Sequence, residues 1–192
     1  MLNVVIFGAP GSGKGTQSEL IVENFGLTHI STGEVLRGEI ERQTDLGKIA
    51  DEYISKGQLI PDDVIIKVLG NLIDRNPNSK GFIFDGFPRT IAQGEALDKI
   101  LKERSMQVTV VLNLDVAEEE LVQRLLKRGE ECGRCDDNLE TIQARLRVYH
   151  AQTEPLKEFY KKRGQHINIK GIGSVEDIYA KIHEVLDKIS QQ

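Results

Sequence analysis

The strongest constraint on this chain is a nine-residue run near its start, Gly8-Ala9-Pro10-Gly11-Ser12-Gly13-Lys14-Gly15-Thr16. It follows a short apolar segment, Asn3 to Phe7, and opens a segment that carries Leu20, Ile21 and Phe25 on one helical face. Strand, glycine-rich loop and helix is the context in which GxxxxGK binds phosphate. Glycines let the backbone curl until several N–H groups point at one anion, and the helix N-terminus adds partial positive charge. Lys14 then reaches the outer phosphates of a nucleoside triphosphate. A plain turn joining strand to helix is the bland alternative, and four glycines, a lysine and both flanks together argue against it. The usual motif has Ser or Thr directly after the lysine, whereas here Gly15 intervenes and the hydroxyl arrives at Thr16.

A chain that begins this way is expected to continue as alternating strands and helices. Further short apolar, β-branched runs read as strands: Thr28 to Ile30, Phe82 to Phe84, Val108 to Leu114 and His166 to Ile169. Most are continuously apolar, as buried parallel strands are. Between them, Val64, Ile65, Val68, Leu69, Leu72 and Ile73 form an apolar stripe after Pro61, Asp62 and Asp63, a helix start followed by its core face. Asp115 with Glu118, Asp137 with Glu140 and Ser174 with Asp177 have capping-box spacing. The alternation predicts a three-layer α/β/α domain on a five-stranded parallel sheet. Two segments interrupt it, Ser31 to Pro61 and the charged, Gly-containing Arg128 to Asn138, and these read as inserts over a site.

The 192 residues, 39% hydrophobic, suit one sizeable core, hence one domain with inserts. A net charge of -5 argues against a nucleic-acid groove or an anionic membrane as partner, so positive charge for phosphates must be local. No stretch approaches the roughly 20 apolar residues of a membrane span, and the start MLNVVIFG lacks signal-peptide features. A cytoplasmic location is expected. Cys132 and Cys135, the only cysteines, build no disulfide framework, and a lone CxxC is half of a zinc site, so no zinc is expected.

Asp85 ends the Phe82 to Phe84 strand, at the edge where open parallel sheets bind ligands, and is placed to hold magnesium through its water shell. A helix cap is the alternative for a lone Asp there. Arg89 follows a stiffening proline, Pro88, and Arg37, Arg124, Arg128, Arg134 and Arg145 complete a set that could meet a transferring phosphoryl group. Arginine suits that task because its planar fork binds phosphate oxygens bidentately and keeps its charge. Taken singly, each could be a solvated charge on a helix face.

Four blocks, GAPGSGKGT (8–16), ISTGEVLR (30–37), FDGFPRT with AQ (84–93) and RGEECGRCDDN (128–138), resemble the adenylate kinase family in order along nearly the whole chain. The resemblance implies a P-loop NTPase core, a helical nucleoside-monophosphate-binding insert (residues 31–60) and a short lid (residues 128–138). Carried onto matching positions, it implies that Gly11, Ser12, Gly13, Lys14, Gly15 and Thr16 bind ATP, together with Arg128 and Gly173. Thr32, Arg37, Gly86, Arg89, Gln93, Arg134 and Arg145 would bind AMP. Lys14, Arg89, Arg124, Arg128, Arg134 and Arg145 would clamp the transferring group. The implied reaction is reversible transfer of the terminal phosphoryl of MgATP to AMP, giving two ADP, by a monomer. Uridylate and cytidylate kinases are similar, but they usually carry Ala where Thr32 stands and Asn where Thr90 stands, so AMP is favoured over CMP or UMP.

The acceptor is itself a phosphate with a second pKa of about 6, so no general base is required. His29, His150, His166 and His183 read as structural or surface residues. Asp136 and Asp137 are expected to pair with lid arginines or to cap the next helix. A GTPase switch would need an NKxD-type segment, which does not occur. A catalytically inactive nucleotide-binding module would have no use for the full arginine set.

Overall fold

The structure, a computed structural model, describes residues 1–132 and 136–191. Five parallel strands, β1 (Val4–Gly8), β2 (Thr28–Ser31), β3 (Phe82–Asp85), β4 (Val110–Asp115) and β5 (His166–Lys170), form one sheet in the order β2-β3-β1-β4-β5. Each strand runs one residue beyond the apolar run that announces it. Backbone pairing does not require an apolar side chain, so the ladder continues where the sequence turns polar. Three of these added residues, Gly8, Ser31 and Asp85, stand at the C-terminal edge of neighbouring strands, with Ser31 paired to Asp85 and Ile6 to Asp85.

Successive side chains of a strand point to opposite faces, and both faces here are apolar. Val4 and Ile6, with Ile83, Val110 and Leu112, pack against Ile21 of α1 (Lys14–Phe25) and Ile178, Ile182 and Leu186 of α9 (Val175–Ser190). Val5 and Phe7, with Phe82, Phe84 and Val111, pack against α4 (Asp62–Asp74), α5 (Ile91–Lys102) and α8 (Leu156–Lys161). The three layers follow. On α4, buried Ile65, Leu69 and Ile73 recur every fourth residue, the stripe read from the sequence.

Between β2 and α4, the chain forms α2 (Thr32–Glu41) and α3 (Asp45–Ile54). They approach so closely that a Cβ at Gly47 would lie 2.0 Å from the Glu39 carbonyl oxygen. Helix α6 (Glu118–Cys132) precedes α7 (Leu139–Val148), and a π-helical turn, Tyr149–Thr153, leads towards α8.

Several local expectations are corrected. Helix α6 continues to Cys132, so Arg128 lies on a helix rather than in a turn. Asp115 is the last residue of β4, not a helix cap. Helix α7 is capped by Asn138, whose side chain accepts from the Thr141 N–H at 3.0 Å, and not by Asp137. Ser174 and Asp177 do form the reciprocal capping box of α9. Among the described residues, no helix is long and apolar enough to cross a membrane.

Candidate active site

The phosphate loop leaves β1, the middle strand, and turns directly into α1. Gly13 caps that helix in the left-handed region at φ 91°, where a side chain would be strained. Gly8 makes room for β4, since a Cβ there would sit 2.6 Å from the Leu114 carbonyl oxygen. Lys14 Nζ donates to the carbonyls of Gly8 (2.9 Å) and Ala9 (3.1 Å), which pins the ammonium over the mouth of its own loop. Burial, together with the positive charges of Arg89, Arg145 and Arg128, lowers its pKa to about 8, although Asp85 pulls the other way. Gly15 has no such internal reason to be glycine: an added Cβ would meet nothing within 4 Å. Its bare backbone faces open cleft. Ser12 is buried, with its hydroxyl against the loop rather than in the cleft, so its contribution to an anion site is its backbone.

Beside the loop, Asp85 at the end of β3 carries a carboxylate only 13% exposed. Burial alone would raise its pKa, but His29, Lys14 and Arg89 together hold it below the ordinary carboxylate value. His29 Nε2 lies 3.7 Å from Asp85 Oδ2, an ion-pair distance, and the Asp85 carboxylate raises the histidine's pKa. This partnership was not visible in the sequence, where all four histidines read as incidental.

After Asp85, the chain turns through Gly86 and a cis Phe87–Pro88 bond to Arg89. Arg89 Nε donates to the Gly86 carbonyl at 2.8 Å, and the Thr32 hydroxyl donates to the same oxygen at 3.0 Å. Burial, with Arg145 nearby, brings the Arg89 pKa down to about 10, so the guanidinium stays charged at neutral pH. Its backbone is held from two sides: the Arg89 N–H donates to Gln93 Oε1 at 2.7 Å, and its carbonyl accepts from the Thr153 hydroxyl at 2.8 Å. Thr153, 64 residues away and in the π-helical turn, gave no signal in the sequence.

The remaining arginines enter from α6 and α7. Arg128 grips Asp137 through Nε (2.6 Å) and Nη2 (2.8 Å), and Arg145 Nη1 reaches Asp136 Oδ2 (2.9 Å) and Asp137 Oδ1 (2.8 Å). The Asp137 side chain is fully buried, and burial would raise its pKa, yet the two arginines hold it below the ordinary value. Of the two roles expected for these acids, the described residues show pairing. Arg124 is anchored to Glu120 and to the Gly171 carbonyl. Arg134, and the Cys132 and Cys135 side chains, lie outside the described residues.

Two pockets adjoin at this edge of the sheet. One is lined by Gly11, Gly13, Lys14, Gly15, Thr16, Asp85, Arg124 and Arg128, and the other by Thr32, Leu36, Ile54, Leu59, Ile60, Ile65 and Gln93. They share Arg37, Gly86, Arg89 and Arg145 as a common wall. Most of the residues singled out in the sequence therefore converge. Gly173 does not line either pocket; it lies in the loop between β5 and α9, close to Gly171 and its bond to Arg124. No group of three or more metal-ligating His, Cys, Asp or Glu side chains occurs among the described residues.

A parallel sheet with a phosphate loop at its central strand, an acid on the adjacent strand and arginines around the opening defines a P-loop phosphotransferase. The model of the adenylate kinase family matches residues 6–165. The chain is 60% identical to an adenylate kinase of Parabacteroides distasonis, over 98% of this chain and all of the relative. It is 58% identical to one of Bacteroides thetaiotaomicron over the same shares, and 50% identical to one of Porphyromonas gingivalis over 98% of this chain and 97% of the relative. The chain belongs to the adenylate kinase family, and its activity is ATP:AMP phosphoryl transfer rather than the UMP or CMP reaction.

Proposed function

We propose that the two adjoining pockets hold donor and acceptor, and that phosphoryl transfer crosses the wall they share. The observation that carries this is the convergence of Arg37, Arg89 and Arg145 between a phosphate loop and a second pocket with one aliphatic side, in a chain whose net charge is -5. ATP phosphates lie along the backbone N–H groups of Gly11 to Thr16, with Lys14 on the outer phosphates. AMP takes the second pocket, its base against Leu36, Ile60 and Ile65, and its phosphate at Arg37, Arg89 and Arg145.

Phosphoryl transfer has a loose transition state with charge spread over the phosphoryl oxygens, so positioning and charge neutralisation do most of the work. The arginines supply both. The acceptor phosphate needs no base, and none of the residues around the shared wall is a histidine. The donor set also fits magnesium: Asp85 is held ionised and is a hard oxygen ligand, with the Thr16 hydroxyl on the same cleft. When bound with ATP, the metal neutralises phosphate charge. Gly15 fits as well, since its empty Cβ position leaves the backbone open to a phosphate.

Residues 31–60 and 128–138 act as the monophosphate-binding insert and short lid, closing to exclude water, a device for which the adenylate kinase lid is an established example. Arg134 joins the clamp on closure, and Gly173 contributes on the ATP side. The enzyme works as a monomer in the cytoplasm. The test is a coupled assay with ATP, magnesium and AMP on the wild type and Arg89→Ala: turnover should fall by at least about 10³-fold, and near-normal turnover would refute the shared-wall reading.

A further inference from the structure

The pocket that takes AMP has Gln93 on its wall, and this residue is almost entirely buried. A carboxamide has one accepting end and one donating end that are nearly alike in shape, so something must set which end is which. Here both ends are held by partners that cannot change roles. The Arg89 backbone N–H, which only donates, gives to Oε1 at 2.7 Å. The Asp62 carboxylate, which when ionised only accepts, receives from Nε2 at 2.7 Å. Asp62 also accepts from the Thr90 hydroxyl at 3.2 Å, and that hydroxyl in turn caps α5 by accepting from the Gln93 N–H at 3.2 Å. Asp62 opens α4, directly after the insert, whereas Gln93 and Thr90 belong to the core.

We propose that Asp62 is a specificity-determining positioning residue: by fixing the polarity of the Gln93 amide, it selects bases that present an amino group beside a ring nitrogen acceptor. This rests on the reading that the pocket lined by Gln93 takes the monophosphate. Each end of the amide retains one unused capacity, a lone pair on Oε1 and a hydrogen on Nε2. Adenine offers the complementary pair, an N6 donor beside the N1 acceptor. Hypoxanthine is nearly identical in shape and reverses both, placing a keto oxygen against Oε1 and an N1–H against Nε2. An amide free to turn over would tolerate both bases; one locked by Asp62 rejects the second through two like-with-like contacts. Thr90 fits the same logic, because it steadies the carboxylate that does the locking.

The test compares kcat/KM for AMP and for inosine monophosphate, with MgATP as donor, in the wild type, Asp62→Ala, Asp62→Asn and Gln93→Leu. The AMP-to-IMP ratio within one protein is insensitive to a general loss of folded enzyme. In Asp62→Ala the ratio is expected to fall by about tenfold, the size of one hydrogen bond to a charged group. Asp62→Asn, which keeps an accepting oxygen, should recover part of it. Gln93→Leu should collapse the ratio. An unchanged ratio in Asp62→Ala with a collapsed one in Gln93→Leu overturns the role of Asp62. An unchanged ratio in Gln93→Leu overturns the base-reading role of Gln93 itself. If Asp62→Ala melts below the assay temperature, Asp62→Leu, which fills the same space without an acceptor, decides, and a ratio within twofold of the wild type there counts against the proposal.

Discussion

The donor and acceptor sides of this cleft are built in different ways. The donor cradle is local: Gly8 to Thr16 supply the turn, the backbone donors and the lysine, and Lys14 is steadied by carbonyls five and six residues before it. The acceptor pocket is assembled from Thr32, Gly86, Arg89, Gln93 and Arg145, with supports as distant as Thr153 and Asp137. A local cradle can be broken only from within, whereas an assembled pocket can be weakened from outside its own wall.

The largest effect expected is on the cradle. Lys14→Ala should lower turnover on the order of 10³-fold while leaving the thermal midpoint nearly unchanged, because its hydrogen bonds run only to its own loop. Calorimetry and a coupled assay on one preparation would check both halves, and a large drop in midpoint would show that the lysine is structural.

On the acceptor side, Asp137→Asn should cost about 2–4 kcal/mol of stability, since it removes the buried carboxylate that Arg128 and Arg145 share and leaves Arg145 to pair with Asp136 alone. It should also lower turnover by about tenfold, as Arg145 loses its bearing. The pH dependence has a definite sign. Because the folded-state pKa of Asp137 is depressed, its contribution is complete above the ordinary carboxylate value and is lost as pH falls through the depressed one. Denaturant titrations should therefore show wild type and Asp137→Asn converging below about pH 4. A gap that persists undiminished in acid would contradict this pairing.

A smaller effect separates the two sides again. With Lys14 at about 8, kcat/KM for MgATP should decline as pH rises above that value, because the free enzyme loses the cation that meets the phosphates. The kcat should decline less, since bound triphosphate favours the charged lysine. Equal decline in both would place the titration elsewhere. Smallest of all, Gly15→Ala should raise stability by up to about 1 kcal/mol, as helix propensity favours alanine, while raising the KM for ATP several-fold. Gain of stability without loss of affinity would mean that no phosphate approaches Gly15.

This contrast also explains what could be read before the fold was known. The phosphate loop, the five strands and Asp85 were legible because each is encoded by neighbours in sequence: glycines before a helix, or an apolar run ending in an acid. The boundary errors have the same origin. Apolarity stops before the ladder does, so Gly8 and Ser31 looked like loop residues although they close the strands. Asn138 displaced Asp137 as the cap of α7 because Asp137 is claimed by Arg128 and Arg145, a competition that local spacing cannot show. His29 beside Asp85, Asp62 on Gln93 and Thr153 on Arg89 are tertiary contacts across 31 to 64 residues, with no periodicity to announce them.

The acceptor side carries the central claim, and the most direct measurement on it is the monophosphate preference of the wild-type enzyme. AMP, CMP, UMP and GMP are compared in one assay with MgATP as donor. An enzyme whose acceptor pocket is read by Gln93 should turn over AMP with kcat/KM at least about tenfold above GMP and UMP, whose keto oxygen and ring N–H reverse adenine's pattern; CMP, whose amino group also stands beside a ring nitrogen acceptor, is set apart only by its smaller ring. A preference for GMP or UMP would contradict that account of the pocket while leaving the fold and the phosphate loop untouched.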